Sequence, residues 1–296
     1  MSKIFIERDP EMAKLDRLIE SVNWESLNHS MGIAVDTPTH LRLLTNPATA
    51  SSALDALFAT VAHQGDHSDA GLYACPILLY LIRNKNLPEL DRVLNLILTI
   101  GISLDSDIIM SRITLSEHLK RIKIHTRQFP SMNLILKCYR AARKGVSQFI
   151  PLTRHSDDSV RWQAMYNLSW FPVESKRTLP LLRNQLYCAR EDEPEHLANC
   201  ILLTGWLEQN CGLRRAGAKS IMRFIDHDNL LIRYSSAVYC SWFALTRSVI
   251  SVLDQLRCDW DFSGHPDQNR VKFNGGDLTQ YAELIWSASV TSEHIE

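Results

Sequence analysis

Hydrophobic and polar positions follow one another along most of this chain with the period of an α-helix. Leu90, Val93, Leu94, Ile97 and Leu98 fall at i, i+3, i+4, i+7 and i+8, which predicts one buried helix face over 87–102. Leu54, Leu57, Phe58 and Val61 mark a second such face, on a helix expected from Pro47, just after Asn46, to Gln64. Asp69 is placed to cap a third helix that continues through Leu78 and Ile82. Thr114-Leu-Ser-Glu117 is a capping-box pattern that opens a basic segment. Convincing period-2 runs are absent. Short connections between helical stretches predict antiparallel helix pairs.

The chain also repeats itself. His155 to Phe171 (HSDDSVRWQAMYNLSWF) aligns without a gap to His227 to Phe243 (HDNLLIRYSSAVYCSWF). His, Arg, Ser, Trp and Phe recur at matching places, and Val160 matches Ile232. Halfway between lies Glu191 to Leu207, so Trp170, Trp206 and Trp242 are spaced 36 residues apart. That period suits one helix pair per repeat, stacked on its neighbours because a single pair cannot bury its own apolar faces. The three tryptophans are expected at equivalent inner positions, each burying on the order of 150–250 Å².

Asp157-Asp-Ser-Val-Arg161-Trp-Gln-Ala164 resembles the second-helix start of a HEAT repeat, and Asn229, Ile232 and Arg233 repeat the pattern with Asn for Asp. The first-helix proline between apolar residues stands in Cys75-Pro-Ile-Leu78, Ile150-Pro-Leu152 and Leu179-Pro-Leu-Leu182. The stretch from Ala53 through Ile102, with His63-Gln64-Gly65 as its loop, is similar to the N-terminal part of bacterial HEAT-repeat proteins. The resemblance covers roughly residues 47 to 256. It implies an all-α fold, a right-handed α-solenoid of stacked antiparallel helix pairs with a period of about 36. Residues 1–46 are then an N-terminal helical segment or cap, 47–256 the repeat array, and 257–296 a polar loop and a capping helix, in one continuous domain. Two stretches depart from the pattern. Residues 191–207 carry His196-Leu197 where Val-Arg is expected, and 113–144 has no clear repeat signature.

Composition narrows the class. The 296 residues are 45% hydrophobic and 22% charged, which excludes wholesale disorder. Eleven Gly and eleven Pro are few for a many-stranded barrel or sandwich. The seven cysteines are odd in number, widely spaced and without a CxxC, so buried reduced thiols are expected rather than disulfides or a zinc knuckle. MSKIFIERDP has no apolar run of the secretory type, and the longest apolar stretch, Ala70 to Ile82, is shorter than the ~18 residues that span a membrane. A cytoplasmic protein with no membrane partner is expected.

The net charge of −1 hides a local excess: nine Lys/Arg and one acid lie between Arg112 and Lys144. A solvated face is the plain explanation. The sharper one is a partner-binding surface made by Lys120, Arg121, Lys123, Arg127, Lys137, Arg140, Arg143 and Lys144. Lys120, Lys123 and Arg127 share one helix face, and Lys137, Arg140 and Lys144 form a second row. Only Phe129 and Tyr139 are at hand for base stacking, so an acidic protein is favoured over nucleic acid. Glu191-Asp-Glu-Pro-Glu195, with Asp226, Asp228, Asp254, Asp259 and Asp261, polarises the chain the other way. Head-to-tail self-association is a second use for that polarity, and the oligomeric state stays open.

Other chemistry is thin. His63 and His67 stand at i,i+4 with Asp66 and Asp69, but Gly65 puts them in a loop, where that spacing has no fixed metal geometry. HEAT-type metal hydroxylases use His-Glu pairs, whereas Glu117-His118, Glu195-His196 and Glu293-His294 are reversed. Gly212-LRRA-Gly217-Ala-Lys219-Ser220 lacks the Lys directly after the second Gly that a P-loop requires. No catalytic residue, metal or cofactor is therefore expected. The resemblance implies a non-enzymatic binding scaffold, with an immunity-type inhibitor or an adaptor as attractive roles. A HEAT-like DNA glycosylase using Trp170, Trp206, Asp157 and Arg161 on a basic concave face is the alternative. A bilin lyase scaffold is a third reading, without a residue to support it.

Overall fold

Helix follows helix through the computed structural model, which describes residues 10–102, 114–126, 132–213 and 218–258, together with 278, 282 and 283. Its helices are α1 (Pro10–Glu20), α2 (Thr37–Leu43), α3 (Ala50–Val61), α4 (Asp69–Leu81), α5 (Leu90–Ile102), α6 (Leu115–His125) and α7 (Met132–Arg143). These are followed by α8 (Val146–Leu152), α9 (Asp158–Ser169), α10 (Ser175–Cys188), α11 (Pro194–Asn210), α12 (Ala218–Ile221), α13 (Leu230–Ser241) and α14 (Arg247–Cys258). The fold is all-α. The sole pairing of strands among the described residues is a hairpin of two residues a side, Asn28–His29 with Gly32–Ile33. Of the expected C-terminal loop and helix, all but Leu278, Ala282 and Glu283 lie outside the described residues, as do residues 1–9.

Residue contacts divide the chain into two compact units, 1–104 with 122–148, and 105–121 with 149–296. In the first, α4 is central and packs against α1, α2, α3, α5 and α7. Its core is aliphatic: Leu54, Leu57, Val61, Ala74, Leu78, Val93, Leu94 and Ile97 are buried, as the periodicity predicts. Helices α5 and α7 touch closely because residue 101 is glycine; a Cβ there would stand 2.4 Å from that of Ala142. Helix ends differ from the sequence reading. The third helix is capped by Ser68, whose hydroxyl accepts from the Gly71 N–H, and Asp69 is its first residue. Asn46 instead turns the chain by accepting from the Ala48 N–H, so α3 begins at Ala50 rather than Pro47. It stops at Val61 because residues 63–65 form a 3-10 turn with Gln64 at φ 49°.

In the second unit the internal repeat has the same physical meaning twice. Asp157 accepts from the N–H groups of Ser159 and Val160, and Asn229 accepts from those of Leu231 and Ile232. His155 Nδ1 accepts from the Asp157 N–H at 3.1 Å, and His227 Nδ1 from the Asn229 N–H at 3.0 Å. Arg161 donates to the His155 and Ser156 carbonyls, Arg233 to those of His227 and Asp228. One side-chain set thus satisfies two of the orphan donors at the start of each of α9 and α13 and ties down the turn before each. The middle copy has neither device: Glu193 precedes α11 without a side-chain cap, and the Arg position is filled by buried Leu197.

The spaced tryptophans meet. Trp170 and Trp206 ring centroids are 5.1 Å apart, Trp206 and Trp242 5.8 Å. The first two are 1% exposed and the third is half-buried. Helix α11 packs against α9, α10 and α13. It is buried around most of its girth, from Leu197 to Glu208. Gly205 permits that packing, since a Cβ would lie 2.1 Å from Tyr239 Cδ2 and 2.7 Å from the Trp242 ring. Pro76, Pro151 and Pro180 all lie inside helices.

Candidate functional site

Helix α7 carries the most coherent part of the predicted basic surface. Leu136, Cys138, Tyr139, Ala141 and Ala142 face the core, where α4 and α5 lie. The 3.6-residue period therefore turns Lys137 and Arg140 outward, Lys144 follows in the turn after the helix, and all three are exposed. None of the three has a carboxylate partner among the described residues. Arg143, on the flank, is half-buried.

Helix α6 supplies the other row. Thr114 Oγ1 accepts from the Glu117 N–H at 3.2 Å, the forward half of the expected capping box. Lys120, Arg121 and Lys123 are exposed, and Arg121 pairs with Glu117 at 3.5 Å. Arg127 and Arg112 lie outside the described residues. Lys120 and Arg121 belong to the second unit, whereas Lys123 and the α7 cations belong to the first. The acidic run is partly engaged within its own unit, since Asp192 pairs with Arg190 and Glu191 lies 3.7 Å from His227. Asp259 and Asp261 lie outside the described residues.

Candidates for catalysis meet structural duties. Asp157 is a helix cap, Arg161 ties a turn, and Trp170 and Trp206 are core, so the four residues of the glycosylase alternative are accounted for by packing and capping. His196 and Cys200 form a pair that sequence reasoning did not single out, with Nε2 and Sγ 3.6 Å apart. Trp162 Nε1–H donates to His196 Nδ1 at 3.3 Å, which leaves the imidazole proton on Nε2, pointing at sulfur. That imidazole cannot accept the thiol proton. Burial moreover pushes the Cys200 thiol up and the His196 imidazole down, so the pair stays neutral.

No group of three or more metal-ligating side chains gathers among the described residues. Burial moves His67 down to about 4, and it sits beside the α4 cap rather than in a ligand set. The P-loop near miss follows α11, a helix, and residues 214–217 of it lie outside the described residues.

Long-range pairing produced one further polar cluster. The Glu208 carboxylate, 2% exposed, accepts from Arg183 Nε at 2.7 Å and from the Tyr239 hydroxyl at 2.6 Å. Burial, and then the carboxylate, push the Tyr239 hydroxyl well above its ordinary pKa. Nothing local in sequence marks it, because its members are 25 and 31 residues apart. Lys14 and Arg83, which lie near Lys144 on the rim of one groove, were also missed for want of any local charge run.

No helix among the described residues is long and apolar enough to cross a membrane. Comparison with known proteins finds no match to the chain among family models, curated proteins or solved structures.

Proposed function

We propose that this chain is a non-enzymatic scaffold that binds an acidic protein partner through its basic surface. It is built as a right-handed α-solenoid of HEAT-like helix pairs. The partner is an enzyme or toxin that the scaffold masks, or a protein that it delivers, in the cytoplasm. Contact between residues spaced 36 apart along Trp170, Trp206 and Trp242 supports the stacked-pair architecture. The observation that carries the functional reading is the row Lys137, Arg140 and Lys144, exposed and unpaired, the first two fixed on a helix whose other face is core and the third in the turn that follows it. Charge set on a rigid element orients a partner and speeds its encounter.

The test is affinity purification from the native cells, with and without nuclease. One stoichiometric protein should survive nuclease treatment. Its affinity should fall at least about tenfold in Lys137→Glu/Arg140→Glu, each reversal removing one attraction and adding one repulsion. Recovery that collapses with nuclease replaces the protein partner with nucleic acid.

A further inference from the structure

The basic residues of the first unit are not confined to the row on α7. Lys14 on α1, Arg83 just after α4 and Lys144 just after α7 line one groove of 300 Å³. Its other walls are Leu18, Pro76, Leu79, Tyr80 and Gln148, and no acid lines it. None of the three cations has a carboxylate partner among the described residues. Lys14 Nζ lies 5.3 Å from the Tyr80 ring centroid and the Arg83 guanidinium carbon 5.6 Å, so aromatic contact holds both cations in place. A second cleft, of 700 Å³, shares Lys14, Tyr80 and Arg83 and continues along Met12, Leu15 and Leu87. Its one acid, Glu11, is bonded to the Tyr80 hydroxyl.

We infer that this groove is the docking site for an extended acidic peptide segment of the partner, carrying at least two carboxylates around one aliphatic side chain. Two features select that occupant. The cations match carboxylates, and Leu18, Pro76 and Leu79 offer an apolar wall between them. The two clefts also meet at Tyr80, giving a track suited to a strand-like segment rather than a compact anion. Lys14 and Arg83 cover the Tyr80 ring, which leaves it poorly placed to stack on a nucleobase. The inference rests on the scaffold reading and adds to it where, and by what chemistry, the partner is gripped.

The experiment pans a random dodecapeptide library against the full chain and measures an enriched peptide by fluorescence polarisation. Enriched sequences should hold two or more Asp/Glu around an aliphatic residue. Affinity should fall at least about tenfold in Lys14→Glu/Arg83→Glu, with helical circular dichroism unchanged because both side chains are exposed. Enrichment of sequences without acids overturns the inference. So does binding that Lys14→Glu/Arg83→Glu leaves intact but Lys137→Glu/Arg140→Glu abolishes; that outcome moves the site to α7 and spares the scaffold reading. Displacement of the peptide by a DNA duplex at lower concentration than by the Glu-rich peptide itself overturns both.

Discussion

The two units of the molecule solve the same packing problem with different materials. The first is held by aliphatic side chains and by close backbone approach at Gly101. The second runs Tyr166, Trp170, Trp206, Trp242 and Tyr239 into one connected aromatic set and buries Gln163, Asn167, Asn199, Thr204 and Glu208 alongside. Aliphatic packing is tolerant of exchange, whereas rings in fixed contact and a buried carboxylate require particular partners. A repeat made of such demanding residues leaves a visible period in sequence. An aliphatic core does not.

The sharpest way to break this contrast is to remove the middle ring. Trp206→Ala should destabilise the protein by about 4 kcal/mol in chemical denaturation. Combined with Trp170→Ala, the loss should fall short of the sum by about 1 kcal/mol, since the rings share a contact. Full additivity would mean that the rings are separate fillers. Next in size is a pH effect in the aliphatic unit. The folded-state pKa of His67 lies near 4 because of burial, so between pH 6.5 and 4 the unfolded chain binds a proton that the folded chain refuses. Stability should fall as pH falls through that window, by up to about 3 kcal/mol, and His67→Gln should remove this share of the slope. His196 is shifted in the same direction, so some slope persists in the variant. The smallest effect tests the repeat itself. Asp157→Ala and Asn229→Ala should each cost about 1 kcal/mol, equally and additively, because each removes one helix cap of the same kind. A marked inequality would show that the two copies have diverged in energetics though not in geometry.

These contrasts also explain what was legible beforehand. The meeting of the three tryptophans followed from their spacing, and the matched helix starts at Asp157 and Asn229 from the ungapped internal repeat, whereas the capping bonds and the Arg contacts to the preceding turn were not read in advance. Helix starts were less legible. Asp69 and Ser68 are both good caps, and the choice between them depends on which backbone bond closes, with Ser68 also donating to the Val61 carbonyl. The exposed row on α7 was readable from its period. The groove was not, because it is made by Lys14, Arg83 and Lys144 from three distant stretches. The Glu208 cluster was hidden in the same way, by pairing across elements rather than along one.

The cysteines remain, and their burial has a practical reach. Cys75, Cys200 and Cys240 are buried with thiols pushed upward by that burial, and Cys138 is raised to about 12. A sulfur kept protonated and out of solvent reacts with an alkylating reagent only when its surroundings open. Cys188 and Cys258 are exposed and set the unprotected rate. The native chain therefore carries built-in clocks for breathing, Cys75 and Cys138 in one unit, Cys200 and Cys240 in the other. Mass-resolved alkylation would time each unit's openings without the introduction of a probe.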